Sequence, residues 1–239
     1  MKILFKQFSN INKINVIVIL TFIVPLPLLL ISSNNQYALG YTNNDLNLTK
    51  INLIQDQFNY KHIIGIAQNT GNKTVNHIII SANFLDSNNK SIGNFSKQSE
   101  ITTLNPKEIT PFDILIFDKK IYDKINDLTM DFKYNFTKYK PKNLAIVSSN
   151  SHLDTNGFYF INGQVLNTAH EYSNNTTITS ITYNKNDELA GIWKAQTESY
   201  NIPPSTTASF SIPVTDKIQS FKISNYTLLA ESDEFTKLK

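Results

Sequence analysis

Neither cysteine nor arginine occurs anywhere in the 239 residues, and tryptophan (1), methionine (2) and glycine (7) are scarce. Without thiols there are no disulfides, so each domain of this chain rests on its apolar core. A blue-copper site, which needs a cysteine thiolate, is excluded. Without arginine there is no planar fork for bidentate recognition of phosphate or guanine. All 22 basic residues are lysine, a bias that with plentiful Asn and Ile matches AT-rich coding. Three lysines and no acids lie in residues 1–40, so the remaining chain has a formal charge of zero. A neutral chain lacks the electrostatic footprint of a partner for nucleic acid or anionic lipid. What is present, 41% hydrophobic and 17% charged residues, belongs to an ordinary globular protein.

The N-terminus has the layout of an export signal. Lys2, Lys6 and Lys13 precede an apolar run from Val16 to Ile31, and Ala38-Leu39-Gly40 places small residues before a cut at Tyr41. The run is shorter than the roughly 20 residues of a bilayer-spanning helix, and Pro25 and Pro27 interrupt it. Residues 1–40 are therefore expected to be a signal peptide, with an uncleaved membrane anchor as the alternative. The expected location is extracellular or at the cell surface, with membrane contact only through residues 16–31 if they are retained.

The mature chain contains an internal repeat. Gly65, Asn69 and Thr70 recur as Gly163, Asn167 and Thr168, and Phe112, Ile114 and Ile116 recur as Phe210, Ile212 and Val214, 98 residues on. Between these ends the best apolar match slips by one residue, aligning Ala82 and Phe84 with Ile181 and Tyr183. The repeated segments alternate apolar and polar residues, as half-buried strands do, and Asn/Asp/Gly/Pro turns separate them. About seven short strands per copy predict an all-β chain of two tandem immunoglobulin-like β-sandwich domains. The expected boundaries are a polar lead-in or edge strand over 41–56, a first sandwich over 57–137, a linker over 138–143, a second sandwich over 144–232 and a polar tail over 233–239. Because Lys138 to Asn143 is polar and contains Pro141, the two copies are expected to fold independently. The expected core includes Phe84, Phe112, Ile114, Tyr183, Phe210 and Ile212.

Ile64-Gly65, Asn69-Thr70-Gly71, Phe84-Leu85-Asp86, Leu104-Asn105-Pro106 and Phe112 give the first copy a pattern that resembles the FxLyD domain family of exported β-sandwich modules. The second copy keeps Gly163, Asn167, Pro204 and Phe210, has Ala169 for the second glycine, and has Lys185 in the aspartate's place. In the naming motif itself, Ala82 stands for the phenylalanine and Phe84 for the leucine. The resemblance implies a fold and an exported setting, and it brings no catalytic chemistry.

No Gly-x-Ser-x-Gly elbow, His-Glu-x-x-His or Gly-rich phosphate loop occurs. The four histidines, His62, His77, His152 and His170, fall at non-equivalent places in the two copies and read as surface residues. Asp86-Ser87-Asn88-Asn89-Lys90 has oxygen ligands at alternate places, but Lys90 occupies one of them and no glutamate closes the loop, so a hairpin turn is expected. No catalytic, metal or cofactor residue is assigned. Eight Asn-x-Ser/Thr sequons occur, and Asn72, Asn89 and Asn174, in expected loops, are the candidate glycosylation sites. Trp193, Tyr172 and Tyr200 are the candidate binding aromatics, with core packing of Trp193 as the competing reading. The expected function is a non-enzymatic secreted or cell-surface module contacting a cell-envelope protein or glycan, with no cofactor and no nucleic acid. The alternatives are a membrane-anchored spacer or accessory subunit and, last, a hydrolase with a dispersed site.

Overall fold

A computed structural model describes residues 45–237, and the expected signal segment and its cleavage position lie outside the described residues. The first copy contains β1 (Leu46–Gln55), β2 (Lys61–Asn69), β3 (Thr74–Leu85), β4 (Ser91–Gln98), β5 (Thr103–Leu104), β6 (Ile109–Ile116) and β7 (Asp127–Thr137). The second contains β8 (Leu144–Leu153), β9 (Tyr159–Asn167), β10 (Tyr172–Asn174), β11 (Thr177–Tyr183), β12 (Leu189–Gln196), β13 (Thr207–Val214), β14 (Asn225–Glu231) and β15 (Glu234–Thr236). Sheet β1-β2-β6 faces sheet β4-β3-β7 in the first copy, and sheet β8-β9-β13 faces sheet β12-β11-β14 in the second. The chain is all-β; residues 46–55, read above as a lead-in or edge strand, form the edge strand of sheet β1-β2-β6, and residues 234–236, read above as tail, pair with β10 in a small two-stranded sheet.

Backbone geometry repeats without an insertion. Residues with positive φ occur as four pairs 98 apart: Asn59 with Gly157, His77 with Asn175, Asn89 with Asp187, and Lys107 with Ser205. Four hairpins share one turn, in which the side-chain oxygen of Asp56, Asp86, Asp154 or Asn184 accepts the backbone N–H groups two and four residues later. Asp86 is thus matched by Asn184, not by Lys185, and the expected one-residue slip is absent. Ala82 and Phe84 correspond to Ser180 and Thr182, and the alternation of β11 turns Ile181 and Tyr183 to the other side of the sheet.

Two buried devices hold each sandwich. Asn69 donates from Nδ2 to the carbonyls of Lys73 and Leu104 at 2.8 and 3.0 Å, and Asn167 repeats this with Glu171 and Ile202 at 2.8 Å each. The side-chain carbonyls of these two asparagines accept from Gly71 and Ala169. The rings of Phe112 and Phe210 lie against Gly65 and Gly163, where any Cβ would collide with them. That close approach explains why glycine recurs in the middle of β2 and β9 despite its poor strand propensity.

The two copies share a third apolar cluster. Ile64 and Ile66 on the outer face of β2 pack against Ile181, Tyr183 and Leu189, with Ile54, Ile109, Ile192 and Leu229 around them. Sheet β1-β2-β6 is therefore covered on both faces. Polar contacts ring this cluster: Asn52 Nδ2 donates to the Leu189 carbonyl at 2.7 Å, and Gln219 Nε2 to the Gln55 carbonyl at 2.8 Å. Glu100 meets Lys194 at 2.6 Å and Lys97 at 2.8 Å, and Glu231 accepts from Thr102 N at 2.8 Å. Burial raises the Glu100 pKa, but its two lysines outweigh it and hold the carboxyl below its ordinary value. The linker is pinned as well, with Lys140 Nζ on the Ser232 carbonyl at 2.6 Å and Lys142 Nζ on the Thr103 carbonyl at 2.8 Å.

Independent folding, expected from the polar linker, therefore meets a large shared interface. The second copy also has the thinner core, its inner apolar cluster holding seven buried residues against eighteen in that of the first. Phe84, Met130 and Phe132 of the first copy are replaced in register by Thr182, Leu228 and Ala230. A fragment from Asn143 to Lys239 is expected to lack a cooperative melt, while the chain from Tyr41 melts in one step. A fragment midpoint equal to that of the whole chain would remove the interface from the stability argument. Phe112→Ala and Phe210→Ala should each cost about 3–5 kcal/mol, read as lower denaturation midpoints, and an unchanged midpoint for either would contradict its burial.

Candidate functional site

The strand alternation of β2 puts His62 on the same outer face as Ile64 and Ile66. Its Nδ1 lies 2.8 Å from Asp113 Oδ1 on the neighbouring β6, and its Nε2 faces Asp56 Oδ2 at 3.5 Å. The Asp56 Oδ1 atom is already fixed by the N–H groups of Phe58 and Tyr60 at 2.9 and 2.7 Å, which aims the rest of the carboxylate. Nε2 is buried and has no hydrogen-bond partner. In the neutral ring that donates from Nδ1, Nε2 would present a lone pair to a carboxylate, whereas the imidazolium presents N–H to both acids. Burial lowers the His62 pKa, but the Asp113 hydrogen bond and the charges of Asp113 and Asp56 outweigh it and hold the imidazole above its ordinary 6.5.

This charged pair floors one end of an open cleft of about 480 Å³ along the seam where the edge strands β4 and β6 approach each other. Asp113, Leu115 and Phe117 line one side, and Asn94, Ser96 and Lys97 the other. Phe117 is 69% exposed and meets Phe95 edge-to-face at 4.9 Å between centroids. The second copy uses the same register positions differently. Phe160 replaces His62 and stacks on His152, Ser211 replaces Asp113, and Thr215 replaces Phe117. Its seam carries a β-bridge between Thr197 and Phe210, and Trp193 stands in the place of Phe95.

Both ring nitrogens of His62 face carboxylates, so neither is directed at a hydroxyl that it could activate. The two acids lie at opposite edges of the ring and do not converge on one point. Among the described residues no group of three His, Asp or Glu side chains is arranged to hold a metal ion. The Asp86–Lys90 segment is a hairpin turn whose carboxylate accepts backbone N–H groups, and these hydrogen bonds hold its pKa below the ordinary value.

The candidate aromatics do not form one surface patch. Trp193 is half-buried on β12 against the second core, with its ring over Gly191 and its buried Nε1 unpaired. Tyr172 is half-buried where β10 pairs with β15, and Tyr200 is exposed on a loop. Asn72 and Asn89 are exposed, whereas the Asn174 amide, the atom a glycan would occupy, donates to Thr236 Oγ1 at 2.8 Å. Phe84, Phe112, Ile114, Phe210 and Ile212 lie in the sandwich cores, and Tyr183 is buried between the copies. His62, read above as a surface histidine, is half-buried between Asp56 and Asp113. The one signal for this was its register with Ile64 and Ile66, since its partners lie 6 residues before it and 51 after it.

A raised folded pKa means that the His62 contribution to stability is complete below about pH 6.5 and is lost as pH rises through the folded value. The melting midpoint is expected to fall as pH rises above about 6.5 in the wild type, and this slope should be absent in His62→Gln. Equal slopes in the two proteins would assign the pH dependence to other groups.

No family model matches the chain, and no curated protein is similar to it. Solved structures match it with low TM-scores. A red sea bream transglutaminase matches at 10% identity and a TM-score of 0.25, over 80% of this chain and 30% of its own. An exo-chitosanase of Amycolatopsis orientalis matches at 7% identity and a TM-score of 0.28, over 76% of this chain and 25% of its own. The chain spans less than a third of these proteins, and likeness this low carries no argument about activity.

Proposed function

We propose that this protein is a non-enzymatic, exported module that contacts a protein or glycan of the cell envelope. The observation that carries this reading is the seam cleft, with an exposed phenylalanine beside a carboxylate, an amide and a hydroxyl, on a scaffold fixed on both sides. The FxLyD-like pattern of the first copy and the export-type leader support the same setting. A second reading, a spacer or accessory subunit retained at the membrane by residues 16–31, is favoured by the shared inter-copy core, which holds the two sandwiches in one orientation.

Affinity capture from the native cell envelope distinguishes the two. The wild-type chain is expected to retain an envelope component that a Leu115→Ser/Phe117→Ala variant loses. Equal capture by both proteins would move the contact away from the cleft and leave the spacer reading in place. Intracellular location of the whole chain in its native cell would overturn both.

A further inference from the structure

The chemistry of the cleft narrows its ligand. Its charges are internally matched: His62 stands beside Asp113, and the Lys97 ammonium is held by Glu100 at 2.8 Å. No unpaired cation among these groups selects a phosphate, sulfate or carboxylate. The free hydrogen-bonding capacity is neutral or weakly acidic. Asp113 gives one oxygen to His62 and keeps Oδ2, on a side chain 23% exposed, and Asn94 and Ser96 bring an amide and a hydroxyl. The exposed apolar part is the Phe117 ring and Leu115, since the other two apolar lining residues, Phe95 and Ile114, are buried in the sandwich core, and this is too little for an acyl chain. Its open ring face is a negative quadrupole surface, to which the partly positive C–H groups of a sugar ring are drawn.

An extended peptide is less well served. Strand addition needs a continuous edge of unpaired N–H and C=O groups, and Pro111 removes a donor from the β6 edge. The volume of about 480 Å³ falls in the usual range of about 300–1,000 Å³ for small-ligand sites. We infer that the β4–β6 seam is a subsite for a neutral saccharide, with a sugar ring stacked on Phe117 and its hydroxyls shared among Asp113 Oδ2, Asn94 and Ser96. This rests on the contact-module reading above and names its ligand class. It also gives the two copies different work, because the second has Thr215 and Ser211 where stacking and carboxylate recognition occur in the first.

The test is calorimetry of the whole protein with four probes: cellohexaose, maltohexaose, a β-1,4 tetramer of N-acetylglucosamine and an α-mannotetraose. At least one should bind with a dissociation constant of about 1 mM or tighter. Phe117→Ala should weaken that binding by about tenfold or more, while lowering the melting midpoint only slightly, since the ring is exposed apart from its edge-to-face contact with Phe95. Asp113→Asn should weaken it too, whereas Tyr200→Ala, on a separate exposed aromatic, should leave it unchanged. Lack of binding by all four at about 10 mM, or binding that survives Phe117→Ala, overturns the inference. Tighter binding of a sulfated saccharide or an extended peptide than of any neutral probe overturns it as well. Capture of an envelope component through the cleft, with none of the sugars bound, overturns the saccharide and leaves the contact module standing.

Discussion

The outer face of sheet β1-β2-β6 carries Ile54, Ile64, Ile66 and Ile109, an apolar strip that water disfavours at roughly 25 cal/mol per Å². Covering it requires a second apolar sheet face, and the one provided is that of β11, β12 and β14. Several other features depend on this layer. It orients the turn at Asp56–Tyr60, whose Gln57 N–H donates to Asp216 Oδ2 of the second copy at 2.8 Å. It sets where the Glu100–Lys194 ion pair and the hydrogen bond from Thr102 N to Glu231 can form between the copies. A polar substitution at Ile64 or Ile66 would therefore disturb docking, charge and turn geometry together, since the groups share one interface.

The two copies divide into what the backbone demands and what the faces demand. The four positive-φ pairs, the four side-chain-capped hairpins, the Asn69 and Asn167 clasps and the Gly–Phe contacts are alike in both. Each answers a requirement of the chain path: a left-handed residue in a tight turn, a donor for a buried carbonyl, or room for a ring. The faces differ. Ile64 and Ile66 become Asn162 and Gln164, while Asn83 and Leu85 become Ile181 and Tyr183. One repeat unit thus has an apolar face where it meets its neighbour and a polar face where the pair ends, as the terminal units of repeat proteins do.

Strand existence, sandwich layers and the Gly, Asn and Phe equivalences were legible because they follow from alternation and from residues with special backbone roles. The one-residue slip arose from a template that allows each strand a single buried face. Ile181 and Tyr183 looked like counterparts of Ala82 and Phe84 only because both pairs are apolar. The run Ile63-Ile64-Gly65-Ile66-Ala67, apolar without a break, was the available sign that β2 is buried on both sides. Linker composition was a poor guide to independence, because Lys140 and Lys142 are polar groups bonded to carbonyls of the two copies. The His62 cluster was not legible. Its acids come from a turn and a neighbouring strand, and pairing at that distance is set by sheet register.

The docking of the copies is heterologous: the outer face of one sheet meets the outer face of a different sheet in the next unit. Contacts of this type do not close on themselves, and a chain with both faces apolar at its ends would be free to stack into fibres. Asn162, Gln164, Ser209 and Ser211 make the free β9–β13 face hydrophilic, and Thr129, Asp131 and Lys133 do the same for the free face of β7. Desolvating those groups without partners costs more than the few exposed apolar atoms there would return. Different substitutions weaken the core of the second copy, whose β3-equivalent strand turns Ser180 and Thr182 inward and leaves the Ser180 hydroxyl buried without a partner. The inner core of the second copy is the smaller of the two, and Ile181, Tyr183 and Leu189, which lie outside it, are buried instead in the cluster shared with the first copy.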